Sequence, residues 1–276
     1  MVEVLAITGG KGGTGKSTVA TALAYELSKN NSVLLVDADV DCPNDHLILG
    51  IERKELKTVS QRIPKFNINK CSKCGKCGSV CKTKALISLK DTNPIFISEQ
   101  CNGCGSCEII CPEKAITWQD KEIGKLYTGT MDKLNLLSGD LKTNQPISEF
   151  IVNSLNEEIE KTKENYDYII IDTAAGTHCP VIASFELANK VIAVTEPTPL
   201  GTHDLEIILR LLQKIKKDGM VIVNRSDVGD IQRVKNLVHK YETKIIFKIP
   251  YSKKIVDSYS NGVPIQINNI LGVIKQ

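Results

Sequence analysis

The sequence predicts an α/β protein: a doubly wound, mostly parallel sheet with a second, cysteine-rich α+β unit spliced into it. Three observations carry this expectation. Short apolar, β-branched runs alternate with longer stretches of helical spacing, the pattern of strands joined by crossover helices and covered on both faces. The first such run passes directly into the glycine-rich stretch Gly9-Gly-Lys-Gly-Gly-Thr-Gly-Lys-Ser-Thr18, which opens a helix. The alternation then breaks off for a segment holding eight of the ten cysteines, and returns after it.

Taken in chain order, Val2–Thr8 reads as a buried strand and Ser17–Asn30 as a helix, with Val19, Leu23 and Leu27 on one face. Val33–Val36 is the next strand, closed by Asp37. After Pro43 the pattern stalls. It resumes with a helix over Ser148–Lys163 and strands at Tyr168–Ile171 and Val191–Thr195. A helix over His203–Lys217, a strand at Met220–Val223, a helix over Ile231–Tyr241 and a strand at Lys244–Ile249 complete the series. Ile267, Ile270, Leu271 and Ile274 fall at helical spacing near the C-terminus with few basic residues beside them, so this stretch is expected to dock on its own core.

The intervening segment repeats with a period of 30: Phe66 matches Phe96, Cys71, Cys74, Cys77 and Cys81 match Cys101, Cys104, Cys107 and Cys111, and Lys84-Ala85 matches Lys114-Ala115. So regular a repeat indicates one duplicated unit. The expected organisation is therefore 1–59 and 121–276 as two parts of one nucleotide-binding domain, with 60–120 inserted between them.

Composition is that of an ordinary globular chain, 42% hydrophobic and 24% charged, with a net charge of +3 that gives no support for nucleic-acid binding. The segment 60–120 carries nine Lys/Arg against five Asp/Glu, an excess suited to offsetting negative thiolate-bound groups. No apolar stretch approaches the roughly 18–20 residues that span a bilayer, and the N-terminal run lacks the features of a signal peptide. Cysteines at metal-binding rather than disulfide spacing point to a reducing cytoplasm.

A glycine-rich loop between a strand and a helix lets backbone N–H groups converge on phosphates, and the helix N-terminus adds a positive field. Gly10, Gly12, Gly13, Thr14, Gly15 and Thr18 form this cradle. Lys16 is placed to reach the β- and γ-phosphates and the Ser17 hydroxyl to ligate Mg2+. The form K-G-G-x-G-K-[ST] beginning at Lys11 resembles the deviant Walker A motif of the MinD/ParA/nitrogenase-iron-protein ATPases. The resemblance implies an ATP-dependent sandwich dimer in which Lys11 reaches the partner's phosphates. Val36-Asp37-Ala38-Asp39 resembles that family's switch I and makes Asp39 the residue positioning the attacking water, with Asp41 a nearby competitor. Ile169–Gly176 resembles Walker B running into switch II, with Asp172 holding Mg2+ through water and Gly176 sensing the γ-phosphate. Asn224 and Pro250 are placed at the base. Asn224-x-x-Asp227 also resembles a guanine-reading motif, which leaves GTP as an alternative; the type of phosphate loop favours ATP.

Each cysteine run has the C-x2-C-x2-C-x3-C spacing that wraps a cubane iron–sulfur cluster. Three cysteines two apart plus a fourth do not match the separated pairs typical of structural zinc. The paired runs resemble bacterial two-cluster ferredoxins, in which the fourth cysteine of each run serves the other cluster. That resemblance implies two [4Fe-4S] clusters, one on Cys71, Cys74, Cys77 and Cys111, the other on Cys101, Cys104, Cys107 and Cys81. Lys82 stands where such runs often have proline. Cys42 and Cys179 remain, read as small buried hydrophobes; alternatively Cys179, by resemblance to the nitrogenase iron protein, is a ligand of a cluster shared between subunits, to which Cys42 would add a further thiol.

Taken together, the chain resembles MinD-superfamily ATPases carrying an inserted ferredoxin domain. Three functions are compatible with that resemblance: an ATP-gated electron carrier acting on a redox or metallocofactor partner, a cluster-assembly or carrier ATPase of the Mrp/ApbC kind, and a MinD-like positioning protein. Full four-thiolate sets suit retention of the clusters and favour the first. No nucleic-acid partner and no stable membrane insertion are expected.

Overall fold

The computed structural model describes residues 2–274. In chain order its elements are β1 (Glu3–Thr8), α1 (Lys16–Ser28), β2 (Val33–Ala38), α2 (Asp45–Leu49), β3 (Lys54–Phe66), α3 (Lys76–Val80), β4 (Leu86–Ile87), β5 (Ile95–Phe96), α4 (Ser106–Ile109), β6 (Ile116–Met131) and β7 (Leu134–Leu141). Then follow α5 (Glu149–Thr162), β8 (Tyr168–Thr173), α6 (Cys179–Ser184), β9 (Lys190–Thr195), α7 (Pro199–Ile215), β10 (Gly219–Asn224), α8 (Ile231–Lys240), β11 (Ile245–Ile249) and α9 (Lys253–Ser260).

Nine strands form one sheet in the order β11-β10-β9-β1-β8-β2-β7-β6-β3. The seven strands from β11 to β7 are mutually parallel, while β6 and β3 are antiparallel additions at one edge. Alternate residues of each central strand enter different layers of the core. Val4 and Ala6 of β1, Leu34 and Val36 of β2, and Ile169 and Ile171 of β8 face one layer, with α5, α6, α7 and α8. Leu5, Ile7, Val33, Leu35 and Ile170 face the other, with Val19, Leu23 and Leu27 of α1. This two-sided burial explains the continuous apolar runs in the sequence. The C-terminal stretch docks as expected, Ile270 and Val273 being buried in the α1 layer as a 3-10 turn.

Strands β3, β6 and β7 stand where the helix–strand pattern stalls. β7 continues the parallel sheet beside β2, whereas β3 and β6 form a long antiparallel ladder running from Lys54↔Thr128 to Phe66↔Ile116. The two strands stay paired on either side of residues 60 and 120, with a bulge where Val59 faces Gly124 and Ser60 faces Glu122; Arg62 faces Asp120. The cysteine segment is carried at the far end of this arm.

That segment repeats in space as in sequence. Helices α3 and α4 begin after Gly75 and Gly105, both in the left-handed region (φ 76° and 82°). Asn67 N–H donates to Ala115 O at 2.7 Å, and Ile97 N–H to Ala85 O at 2.8 Å. Ala85 and Ala115 are buried, and the Phe66 and Phe96 rings meet at 5.6 Å. Each half closes the other's turn, so neither is complete alone.

Candidate functional site

The C-terminal ends of the parallel strands surround a cleft of about 400 Å³, lined by Gly12, Gly13, Gly15, Lys16, Ser17 and Thr18, by Asp39 and Asn44 after β2, and by Ala175 after β8. Asn224, Arg225, Pro250, Tyr251, Ile255, Val256 and Tyr259 complete its wall. The opening is of the size that takes a small ligand.

The glycine loop is shaped by its neighbours. A side chain at Gly10 would collide with Asp204 of α7, and one at Gly15 with Asn224; Gly13 and Gly15 both have left-handed backbone (φ 84° and 94°). Asn224 Nδ2 donates to Thr14 O at 3.0 Å, tying the end of β10 to the loop. Lys16 is 7% exposed and its Nζ donates to Lys11 O at 3.1 Å, so the loop carbonyl holds the ammonium that would otherwise face an anion. Burial lowers the Lys16 pKa, against the opposing pull of Asp172 and Asp39. Lys11 itself is partly exposed. Gly176 (φ 99°) donates its N–H to Gly9 O at 3.1 Å, linking the loop after β8 to the phosphate loop.

Behind Lys16 stand three buried carboxylates. Asp37 Oδ2 accepts the N–H groups of Asn44 and Asp45 at 2.9 and 3.1 Å. Asp172 interacts with the Ser17 hydroxyl, and burial pushes its pKa up to about 7. Among the described residues its Oδ1 is buried without a hydrogen-bond partner, as are both carboxylate oxygens of Asp45. Asp45 was not evident from sequence. It begins a five-residue helix, and nothing in its spacing marks it as facing Asp172; only the fold brings them together. Burial and the neighbouring Asp37 and Asp172 raise its pKa well above the usual range. Orphaned oxygens beside a Ser hydroxyl and a Lys ammonium suit a hydrated divalent cation, so the residues present fit Mg2+. Asp39 lies at the cleft edge, its pKa raised by partial burial.

Away from the glycine loop, Asn224 and Pro250 line the cleft together with Tyr251 and Tyr259. The two tyrosines went unread because they sit beyond the last strand, where the sequence shows only a short amphipathic stretch. Asp227 Oδ1 accepts the Tyr251 N–H at 2.7 Å, tying the loop after β10 to the segment after β11. Arg225 pairs with Glu196 at 2.8 Å.

The eight clustered cysteines divide between two further cavities. One is lined by Cys71, Cys74, Cys77 and Cys111, the other by Cys81, Cys101, Cys104 and Cys107. The fourth thiol of each run has thus crossed to the other run's cavity. Among the described residues no group of three or more His, Cys, Asp or Glu side chains is gathered tightly enough to hold a single metal ion; the thiols of the second cavity surround about 250 Å³, those of the first only about 20 Å³. Backbone N–H groups point at sulfur from equivalent positions, Lys73 to Cys71 Sγ and Gly103 to Cys101 Sγ, both at 3.4 Å. A backbone hydrogen bond from Lys76 lowers the Cys74 pKa, the Ser106 hydroxyl lowers that of Cys104, and burial pushes Cys107 up to about 11. Trp118 borders the second cavity, its Nε1 donating to Glu108 at 2.7 Å and its ring lying under Arg62. Four thiols about each cavity, with amides directed at sulfur, fit a cubane cluster.

Cys42 and Cys179 are exposed, which corrects their reading as small buried hydrophobes: Cys42 lies in the open loop after β2, and Cys179 is the first residue of α6. Among the described residues no helix is long and apolar enough to cross a membrane.

Residues 5–265 match the family model of the CobQ/CobB/MinD/ParA nucleotide binding domain. An uncharacterised protein of Methanocaldococcus jannaschii is 35% identical over 94% of this chain and 90% of its own length. An iron–sulfur cluster carrier protein of Rickettsia bellii is 26% identical over 95% of this chain and 66% of its own length. Among solved structures, the septum site-determining protein MinD of Pyrococcus horikoshii, complexed with Mg-ADP, superposes with a TM-score of 0.59 at 19% identity, covering 96% of this chain and 87% of that one.

Proposed function

The chain belongs to the CobQ/CobB/MinD/ParA nucleotide-binding family and is a P-loop ATPase; from that premise we propose that it is an iron–sulfur ATPase whose nucleotide-driven dimer closure controls how two [4Fe-4S] clusters meet a redox or metallocofactor partner. The observation that carries this reading is the division of the eight cysteines into two four-thiol cavities by exchange of Cys81 and Cys111. Residues 60–120 are read as a ferredoxin-like unit, and clusters held there would accept and donate single electrons.

In the nucleotide cleft the chain's own residues divide the work. Backbone N–H groups of Gly12 to Thr18 cradle the phosphates. Lys16 exchanges the Lys11 carbonyl for the β- and γ-phosphates. Ser17 and the buried Asp172 would hold Mg2+, which would supply positive charge at the phosphates. Asp39 orients the attacking water, and Gly176 reports the γ-phosphate to α6 through its link to Gly9. Asn224, Pro250 and the two tyrosines enclose the base. MinD-like proteins form ATP-dependent dimers, and in such a dimer Lys11 would act on the partner's nucleotide.

Anaerobic purification followed by iron analysis tests the proposal. About eight irons per chain, with an absorption spectrum that bleaches on reduction, is the expected result. An iron-free protein with full ATPase activity would overturn it. The similarity to an iron–sulfur cluster carrier favours a second reading, in which the clusters are cargo. Rapid transfer of insert iron to an apo-acceptor protein would select that reading over electron transfer.

A further inference from the structure

We propose that the first half of the cysteine repeat is a docking face for an acidic protein surface, so that the site on Cys71, Cys74, Cys77 and Cys111 is the one through which a partner is met. The inference rests on the iron–sulfur reading above and deepens it by assigning the two cavities different roles.

The duplicated units have diverged in charge. Residues 66–95 hold six lysines (Lys70, Lys73, Lys76, Lys82, Lys84 and Lys90) against a single acidic residue, Asp91, for a net +5. The equivalent 96–125 hold three lysines against five acidic residues, for a net −2. One repeat therefore carries more positive charge than the whole chain, whose net is +3. All six lysines are exposed, and among the described residues none of the six is in an ion pair given by the structure. Neutralising a bound cluster does not account for the excess, because the second four-thiol cavity would hold an equal charge in a repeat that is net negative.

Apolar side chains are set among these lysines. Ile87 and Ile95 lie opposite each other across the β4–β5 pair and so share a face, both exposed. The partner pair Leu86 and Phe96 faces inward, Leu86 being buried. Leu89, 67% exposed, sits in the connecting turn. That turn packs on the first cysteine loop: Asp91 N–H donates to Lys73 O at 2.9 Å, and the Leu89–Lys90 backbone passes against Gly75. Lys73, Lys90 and Leu89 are thus gathered beside Cys74 and the cavity mouth.

Exposed apolar side chains with like-charged lysines beside them, as Leu89 has Lys73 and Lys90, suit a protein interface steered by the opposite charge. A nucleic-acid surface is less well matched. No arginine occurs between Arg62 and Arg210, and arginine is the residue suited to bidentate phosphate and base contacts. The second cavity lies nearer the sheet, where Gln61 Nε2 of the arm donates to Cys101 O at 2.8 Å. The order from partner to nucleotide-binding body is therefore cationic repeat first, acidic repeat second.

The test compares the anaerobic holoprotein with a variant carrying Lys70→Glu, Lys73→Glu and Lys90→Glu, using an acidic flavodoxin as the probe. Direct binding by titration calorimetry and the second-order rate of electron exchange by stopped flow are both read. The expected result is binding and exchange that weaken as salt rises and fall at least tenfold in the variant, with iron content and reduction by dithionite unchanged. Unchanged flavodoxin binding in an iron-replete variant overturns the docking face alone. Failure of the wild type to hold iron overturns the underlying iron–sulfur reading instead. Tighter binding of wild type to a DNA duplex or to phosphatidylserine vesicles than to flavodoxin overturns the protein partner, and lysine-dependent self-association at low salt assigns the face to a second copy.

Discussion

Asp45 shows at the scale of one residue what the fold adds to the motifs. Its carboxylate is fully buried, packed beside Asp37 and Asp172 with Asp39 near, and Lys16 is the cation facing the group. Buried like charges favour the protonated form. In magnesium-free, nucleotide-free protein the native state therefore holds more protons than the unfolded chain from the ordinary carboxylate range near 4 up to about 7, the value reached by Asp172. Unfolding free energy falls as pH rises wherever the native state binds the extra protons. Melting followed in EDTA should accordingly show a higher Tm at pH 6 than at pH 8. Asp45→Asn should raise the pH 8 value and flatten the slope, while weakening Mg-ATP binding. A pH-independent Tm in wild type would show that these carboxylates carry no such strain. A second residue-scale expectation concerns the base: Tyr259→Ala removes an aromatic wall of the cleft and should weaken ATP binding by about 1 kcal/mol, roughly fivefold in Kd, as measured by fluorescent-nucleotide titration.

At the scale of elements, legibility followed burial. The central strands and the long helices could be read because both faces of each strand, or one stripe of each helix, are apolar. β3 could not: its residues are mostly exposed along Lys54–Lys57, and the apolar Val59 and Ile63 are separated by polar positions. β7 reads Leu-Asn-Leu-Leu-Ser-Gly-Asp-Leu, and its buried Ser138 hydroxyl accepts from Arg53, 85 residues away in sequence. Such tertiary pairing has no local signal. The cysteine repeat was legible for a different reason, since ligand spacing is chemistry rather than propensity, and the exchange of Cys81 and Cys111 came from resemblance before the cavities displayed it. The exchange makes a specific prediction. Cys77→Ser and Cys111→Ser address the same cavity, so the double variant should lose no more than about four irons per chain, like each single variant. Cys77→Ser with Cys81→Ser addresses both cavities and should lose about eight. Equal iron loss in the two double variants would refute the crossed assignment.

For the whole molecule, the arm sets how the nucleotide cleft and the cysteine repeat are connected. Leu141 N–H donates to Val40 O at 2.8 Å, one residue beyond Asp39, and Lys142 N–H donates to Ile123 O of β6 at 2.8 Å. The loop that carries Asp39 is therefore two hydrogen bonds from the strand that leads to the cysteine repeat. For nucleotide to move this assembly from one arrangement to another, from 1:99 to 99:1, it must favour the second by about 5.5 kcal/mol. A γ-phosphate engaged by Lys16, by Mg2+ on Ser17 and Asp172, and by Lys11 of a second copy offers several charge-assisted contacts of roughly 1.5–3 kcal/mol each. Without the contact in trans, the remaining ones act within one protomer and bind nucleotide without closing the pair. Lys11→Ala should thus leave nucleotide affinity of the monomer within about threefold of wild type while abolishing ATP-dependent dimerisation in analytical ultracentrifugation and the hydrolysis that depends on it. Hydrolysis that persists in a monomeric Lys11→Ala protein would mean that the lysine serves its own loop, and that closure is driven from elsewhere in the cleft.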